Sequence, residues 1–120
     1  MKIRIKDSFI RLRLTKTEVE QLVKQGSVAA CAFFPIGNEL IYQLTTENND
    51  DYEAVFRENK IKISVPQSLV KEWDINDVVG FDHEFENGLK ILIEKDFKCL
   101  TPRDEDESDH FENPLDSHNC

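Results

Sequence analysis

Glycine is scarce, four in 120 residues, and the chain holds neither a glycine-rich phosphate loop nor a His-Glu-x-x-His metal motif. Cysteine is as sparse: Cys31, Cys99 and Cys120 are odd in number and far apart, which argues against a disulfide framework and for buried or idle thiols. No apolar run approaches the roughly 20 residues of a membrane span. The opening MKIRIKDSFIRLRL alternates charge with apolar residues and lacks the continuous apolar centre of a signal peptide, so a cytoplasmic protein is expected. Positive charge is also short: 15 Lys+Arg stand against 24 Asp+Glu, a net −9 that opposes general nucleic-acid affinity. A nucleophile needs a base and an orienting third group, and Cys99 has no nearby histidine in a supporting motif. No enzyme and no cofactor is expected.

The charge is unevenly spread. Residues 1–44 carry seven basic and four acidic side chains, net +3, while 45–99 and 100–120 each come to −6. In the first third, Lys2-Ile3-Arg4-Ile5-Lys6 alternates with period two, and after Asp7-Ser8 so do Ile10, Leu12 and Leu14 with Arg11 and Arg13. Two strands with one buried face follow. Thr15-Lys16-Thr17-Glu18 is a capping box, Val19, Leu22 and Val23 sit at helical spacing, and Gly26 supplies the stop. An apolar strand from Val28 to Phe34, a Pro35–Asn38 turn and a strand from Glu39 to Leu44 complete the first pattern.

After the polar, acidic linker 46–53 the pattern recurs. Ala54–Arg57 and Ile61–Val65 form a hairpin, and Pro66 opens a helix through Leu69, Val70 and Trp73. A strand from Val78 to Phe85, an Asn87-Gly88 hairpin turn and a strand from Leu89 to Glu94 end it. At an offset of 51, Ile10 falls on Ile61, Leu12 on Ile63, Leu14 on Val65, Val19 on Val70 and Leu22 on Trp73. After a two-residue gap, Leu40 falls on Leu89, Tyr42 on Ile91 and Leu44 on Ile93. The core is expected from Ile3, Ile5, Ile10, Leu12, Leu14, Val19, Leu22, Ile61, Ile63, Val65, Leu69, Val70, Trp73, Val79, Phe81, Leu89, Ile91 and Ile93.

The second pattern, with Val65-Pro66, the helix through Leu69 and Trp73, Asn76-Asp77 and Asn87-Gly88, resembles the swapped-hairpin β-barrel half of the AbrB and MazE families. It departs from them where Asn76 replaces a glycine, around Asn59-Lys60, and in the first half at Thr15, where the proline would stand. The resemblance implies an α+β, mainly β fold: a tandem ββαββ repeat closing a small cradle-loop-like barrel within one chain, a monomeric pseudo-dimer. Residues 1–99 are then one domain of two repeats, 1–45 and 54–95, and 100–120 an acidic C-terminal tail, flexible or docked on the domain. With its KDFKCL and DEDESDHF segments, the whole chain also resembles an uncharacterised bacterial family.

Three surfaces carry functional expectations. Lys2, Arg4, Lys6, Arg11 and Arg13 are dense in cations, and in AbrB-type regulators such residues contact DNA; Arg57, Lys60 and Lys62 take the matching positions in the second half. The net charge makes that DNA-binding regulator the alternative reading, beside a solvated sheet face or a docking face for the tail. In the tail, Asp104, Glu105, Asp106, Glu107 and Asp109 precede Phe111 and Leu115, apolar anchors amid acids that suit docking on a protein partner. A non-enzymatic, regulatory protein-binding module is the favoured function, its partner unidentified. Cys99, His110, His118 and Cys120 lack metal-module spacing, so a weak metal-binding acidic protein is a further alternative. His83, between Asp82 and Glu84, is expected at a strand surface or edge.

Overall fold

The computed structural model describes residues 1–98 and Phe111. Element order is β1 (Lys2–Lys6), β2 (Phe9–Leu14), α1 (Lys16–Gln25), β3 (Ser27–Ala32), β4 (Leu40–Glu47), β5 (Glu53–Arg57), β6 (Lys60–Pro66), α2 (Gln67–Val70), β7 (Gly80–Glu84) and β8 (Lys90–Lys95). Alternation decides the strands, and the hairpin turns hold them in register. Asp7 at φ 50, Glu58 at φ 50 and Asn59 at φ 64 take the left-handed backbone that tight hairpins need, without glycine.

The strands form two four-stranded sheets of the same construction, β1-β2-β8-β7 and β3-β4-β6-β5. In each, an antiparallel hairpin from one half of the chain lies beside a hairpin from the other, and the two central strands run parallel. The core lies between the sheets: Leu12, Leu14, Ile91 and Ile93 from the first, Val28, Leu44, Ile63 and Val65 from the second, with Val19, Leu22, Val70 and Trp73 from the connections. Each fully buried Leu or Ile here stabilises the fold by about 1.5–3 kcal/mol.

A closed barrel was expected, and the ladders do not close. Edge strands β1 and β7 belong to one sheet, β3 and β5 to the other. Side chains link the sheets instead: Tyr42 of the central strand β4 donates its hydroxyl to the Met1 carbonyl at 2.9 Å, and Tyr52, just before edge strand β5, stacks on His83 of edge strand β7 with ring centroids 4.3 Å apart. An aromatic ring between two edges holds them beyond the roughly 4.8 Å spacing of a hydrogen-bonded ladder.

α1 begins as the capping box requires. Glu18 N–H donates to Thr15 Oγ1 at 3.4 Å, and Thr15 N–H donates to Glu18 Oε1 at 2.9 Å. Gly26 at φ 81 ends the helix, and its carbonyl accepts from Thr46 N–H at 2.9 Å, seating the helix end on β4. α2 is a single turn and stops at Val70, short of the expected helix through Trp73. Trp73 nonetheless reaches the core, because its indole N–H donates to the Val78 carbonyl at 2.8 Å and its ring packs on Phe81.

Three expected core residues are exposed: Ile5, Leu69 and Val79. Ile5 lies at the hairpin end of an edge strand, beyond the second sheet's cover. Leu69 points off the single turn of α2, and Val79 precedes a strand that starts at Gly80 rather than Val78. Val28 and Leu44 are core residues beyond the expected set, buried because they pair directly on the inner face of β3 and β4. β3 ends at Ala32, since Phe33 and Phe34 already belong to the turn that Pro35 imposes, and β4 runs on to Glu47, into the expected linker.

Candidate functional site

The register gathers the expected cations on the outer face of the first sheet. Lys2 lies opposite Arg13 and Arg4 opposite Arg11, so these four share a face, and Lys6 lies opposite Phe9 on the same side. The same register carries the face onward through Glu94 and Lys90 of β8 to Asp82 and Glu84 of β7. The surface therefore runs from basic to acidic across one sheet.

Glu94 sits between the two arginines of β2. Its Oε1 accepts from Arg11 Nε at 2.6 Å and from Arg13 Nε at 2.9 Å, and Arg11 Nη2 lies 2.5 Å from the same oxygen. These side chains are mostly covered, with 23% exposure for each arginine and 14% for the glutamate. Charge-assisted bonds in such a setting hold the guanidinium groups to the sheet. Lys2 Nζ is 3.0 Å from Asp96, a weak pair because the lysine is largely exposed. The second-half cations do not join this face: Arg57 pairs with Lys60 in register, and Lys60 and Lys62 lie on the outer side of the other sheet.

The tail residues Asp104, Glu105, Asp106, Glu107, Asp109 and Leu115 lie outside the described residues, as do Cys99, His110, His118 and Cys120. Phe111 is fully exposed. Among the described residues, no three His, Cys, Asp or Glu side chains gather as a metal site. His83 is on edge strand β7, stacked on Tyr52 and edge-on to Phe85. Burial and then the charge of Asp82 push the Tyr52 hydroxyl above its ordinary pKa, so it stays neutral. Desolvation and then Glu39 push the Cys31 thiol up as well, the reverse of what activates a thiolate nucleophile.

An apolar end of the second sheet escaped the sequence reading. Phe33 is 80% exposed, Phe34 54%, Ile36 90% and Phe56 70%. All four lie at the end where the β3–β4 and β5–β6 turns meet, held together by Ile41 N–H donating to the Asn59 carbonyl at 3.0 Å. A notch of about 420 Å³ opens there between Phe33, Phe34 and Ile41, with Glu39 and Glu58 on its walls. The signal was present as Phe33-Phe34-Pro35-Ile36, three large apolar residues around a proline that ends a strand. A larger groove of about 650 Å³ lies between α1 and α2, lined by Val23 and Val70 together with Glu47, Asp50, Lys71 and Glu72.

A model for a family of unknown function, DUF7009, matches residues 1–115. The chain belongs to that family. The DUF7009 match spans both sheets and runs on past β8 to residue 115. No curated protein and no solved structure matches the chain. No helix among the described residues is long and apolar enough to cross a membrane.

Proposed function

We propose that this chain is a non-enzymatic protein-binding module built from two fused swapped-hairpin halves. The apolar end of the second sheet is its contact surface. The observation that carries the reading is the exposure of Phe33, Phe34, Ile36 and Phe56 together at one end of the second sheet. The adjoining notch pairs aromatic walls with Glu39 and Glu58, so the fitting partner segment is apolar and bears a lysine or arginine. Phe111, fully exposed in the acidic tail, is the second anchor.

The fused-repeat origin is supported by matching registers. Phe9 pairs with Lys90 in one sheet, and Lys60 pairs with Ile41 in the other, the positions related by the sequence offsets. Lys90 N–H donates to the Ser8 carbonyl at 2.9 Å, as Ile41 N–H does to Asn59. The cytoplasmic setting fits the exposed free thiol of Cys31. The DNA-binding alternative loses ground because Glu94 holds Arg11 and Arg13.

The test is affinity capture from the native host with the full chain as bait. A partner retained by the wild type is lost with a Phe33→Ser, Ile36→Ser double variant whose thermal melt is unchanged, and is weakened by Phe111→Ala. Retention of the same partner by the double variant overturns the assigned surface.

A further inference from the structure

Four strands form the edges of the two sheets, and three of them carry charge: Lys2-Ile3-Arg4-Ile5-Lys6, Glu53-Ala54-Val55-Phe56-Arg57 and Gly80-Phe81-Asp82-His83-Glu84. The fourth, β3, reads Ser-Val-Ala-Ala-Cys-Ala and has no charge, proline or glycine. Charged edges resist pairing with other strands; an uncharged edge of small side chains invites it. Its open groups can be placed. Gly26 and Thr46 stand in the β3–β4 register and share a ladder bond, so alternation directs Val28, Ala30 and Ala32 toward β4 and Ser27, Ala29 and Cys31 away from it. The Ser27 carbonyl is covered by Gln21 Nε2 at 3.3 Å, as an outward-facing group would be. Ala29 and Cys31 remain, both exposed, and their outward N–H and C=O groups have no partner among the described residues.

We propose that β3 pairs antiparallel with β3 of a second copy of this chain, centred on Ala30. The two four-stranded sheets then become one of eight strands. In this register Ala29 of one copy faces Cys31 of the other and exchanges two N–H···O=C bonds with it. The two-fold repeats the pair, and all four open groups of each copy are used. A two-fold contact must be self-complementary, and this edge meets that condition: it sets a methyl group opposite a thiol. Centred pairing of β1 would set cation against cation and of β7 carboxylate against carboxylate; β5 would set Glu53 against Arg57, charges that β3 does not have to bring out of water. Each chain buries its own core, so the pairing is reversible association of folded chains. The contact is a small one, which puts half-association at about 100 µM rather than at nanomolar concentrations. The net charge of −9 on each copy opposes it, so added salt strengthens it.

Sedimentation velocity on the reduced full chain reads this directly. The expected result is a monomer at low concentration and a growing dimer fraction near about 100 µM, larger at about 0.5 M salt than at about 0.05 M. Ala29→Lys places a charge on the edge, and Ala29→Pro removes one outward N–H without touching the β4 ladder; each lowers the dimer fraction at least about tenfold. In the paired register the two Cys31 residues are diagonal neighbours about 7–8 Å apart, so a short bis-maleimide joins them in the wild type and not in Ala29→Lys. A monomer at every concentration and salt overturns the proposal. So does a dimer that both Ala29 variants leave unchanged.

Discussion

Replacing Glu94 with glutamine tests both the stability of the first sheet and the availability of its cations. The side chain keeps its shape and one acceptor oxygen but loses its charge, leaving Arg11 and Arg13 on one face with no counter-ion between them. A fully exposed pair is worth about 0–1 kcal/mol and a broken buried one about 3–5 kcal/mol; with arginines 23% exposed and the glutamate 14%, this site falls between, at about 2 kcal/mol after screening. For a domain of this size that corresponds to a fall in melting temperature of about 8 °C. Calorimetry or a circular dichroism melt measures it, and at about 1 M salt the gap between wild type and variant narrows. The same variant frees two cations, so its duplex-DNA affinity acquires a log–log salt slope near about −2 while the wild type stays nearly flat. A melting temperature unchanged within a degree would falsify the structural role given to Glu94. A wild type that already binds duplex DNA with a steep salt slope would show that the pairing does not withhold the arginines.

Other substitutions probe single contacts. Gly80→Ala puts a Cβ onto the Ile93 carbonyl oxygen and within 2.8 Å of the Glu94 Cα and Cβ, so β7 must move from β8; a loss of about 1–3 kcal/mol or more in urea unfolding is expected, and a neutral result contradicts the packing. Trp73→Phe removes a buried ring and the indole bond to Val78, a loss of about 2–3 kcal/mol by circular dichroism; a change below about 0.5 kcal/mol would mean the ring is not the plug it looks. Glu18 supplies a pH test. Burial raises its pKa, but the hydrogen bond from the amino terminus, the Thr15 backbone and side-chain bonds and the attraction of the amino terminus together bring it below the 4.5 of an ordinary carboxyl. Its stabilisation is therefore present above that value and is lost as pH falls through the depressed folded pKa. Wild-type melts followed down to about pH 3 should fall more steeply on the acid side than those of Glu18→Gln; parallel profiles would rule this out.

Local signals were legible where one side chain or one spacing suffices. The capping box at Thr15 and Glu18, the stop at Gly26 and the alternation through Leu12, Leu14, Ile63, Val65, Ile91 and Ile93 each depend on neighbours a few residues away. The two sheets each join a first-half hairpin to a second-half hairpin through parallel central strands, β2 with β8 and β4 with β6. Ile5 was misjudged because alternation reports which side a residue faces, while burial depends on whether the other sheet extends that far. The apolar end was missed for a related reason: Phe33 and Phe34 looked like strand interior, and only the turn at Pro35 put them in solvent.

By itself the sequence determined a β-rich chain, with a cation-dense first hairpin and an acidic whole, because composition and period are properties of the chain alone. Tertiary structure decided which strands became neighbours. Pairing β2 with β8 set Glu94 between Arg11 and Arg13, residues more than eighty positions away in sequence, and so placed a carboxylate inside the cation-dense face. It also left β3 as an uncharged edge. Strand order is chosen by packing two sheets around one core, and no period within a strand encodes which strand lies beside it.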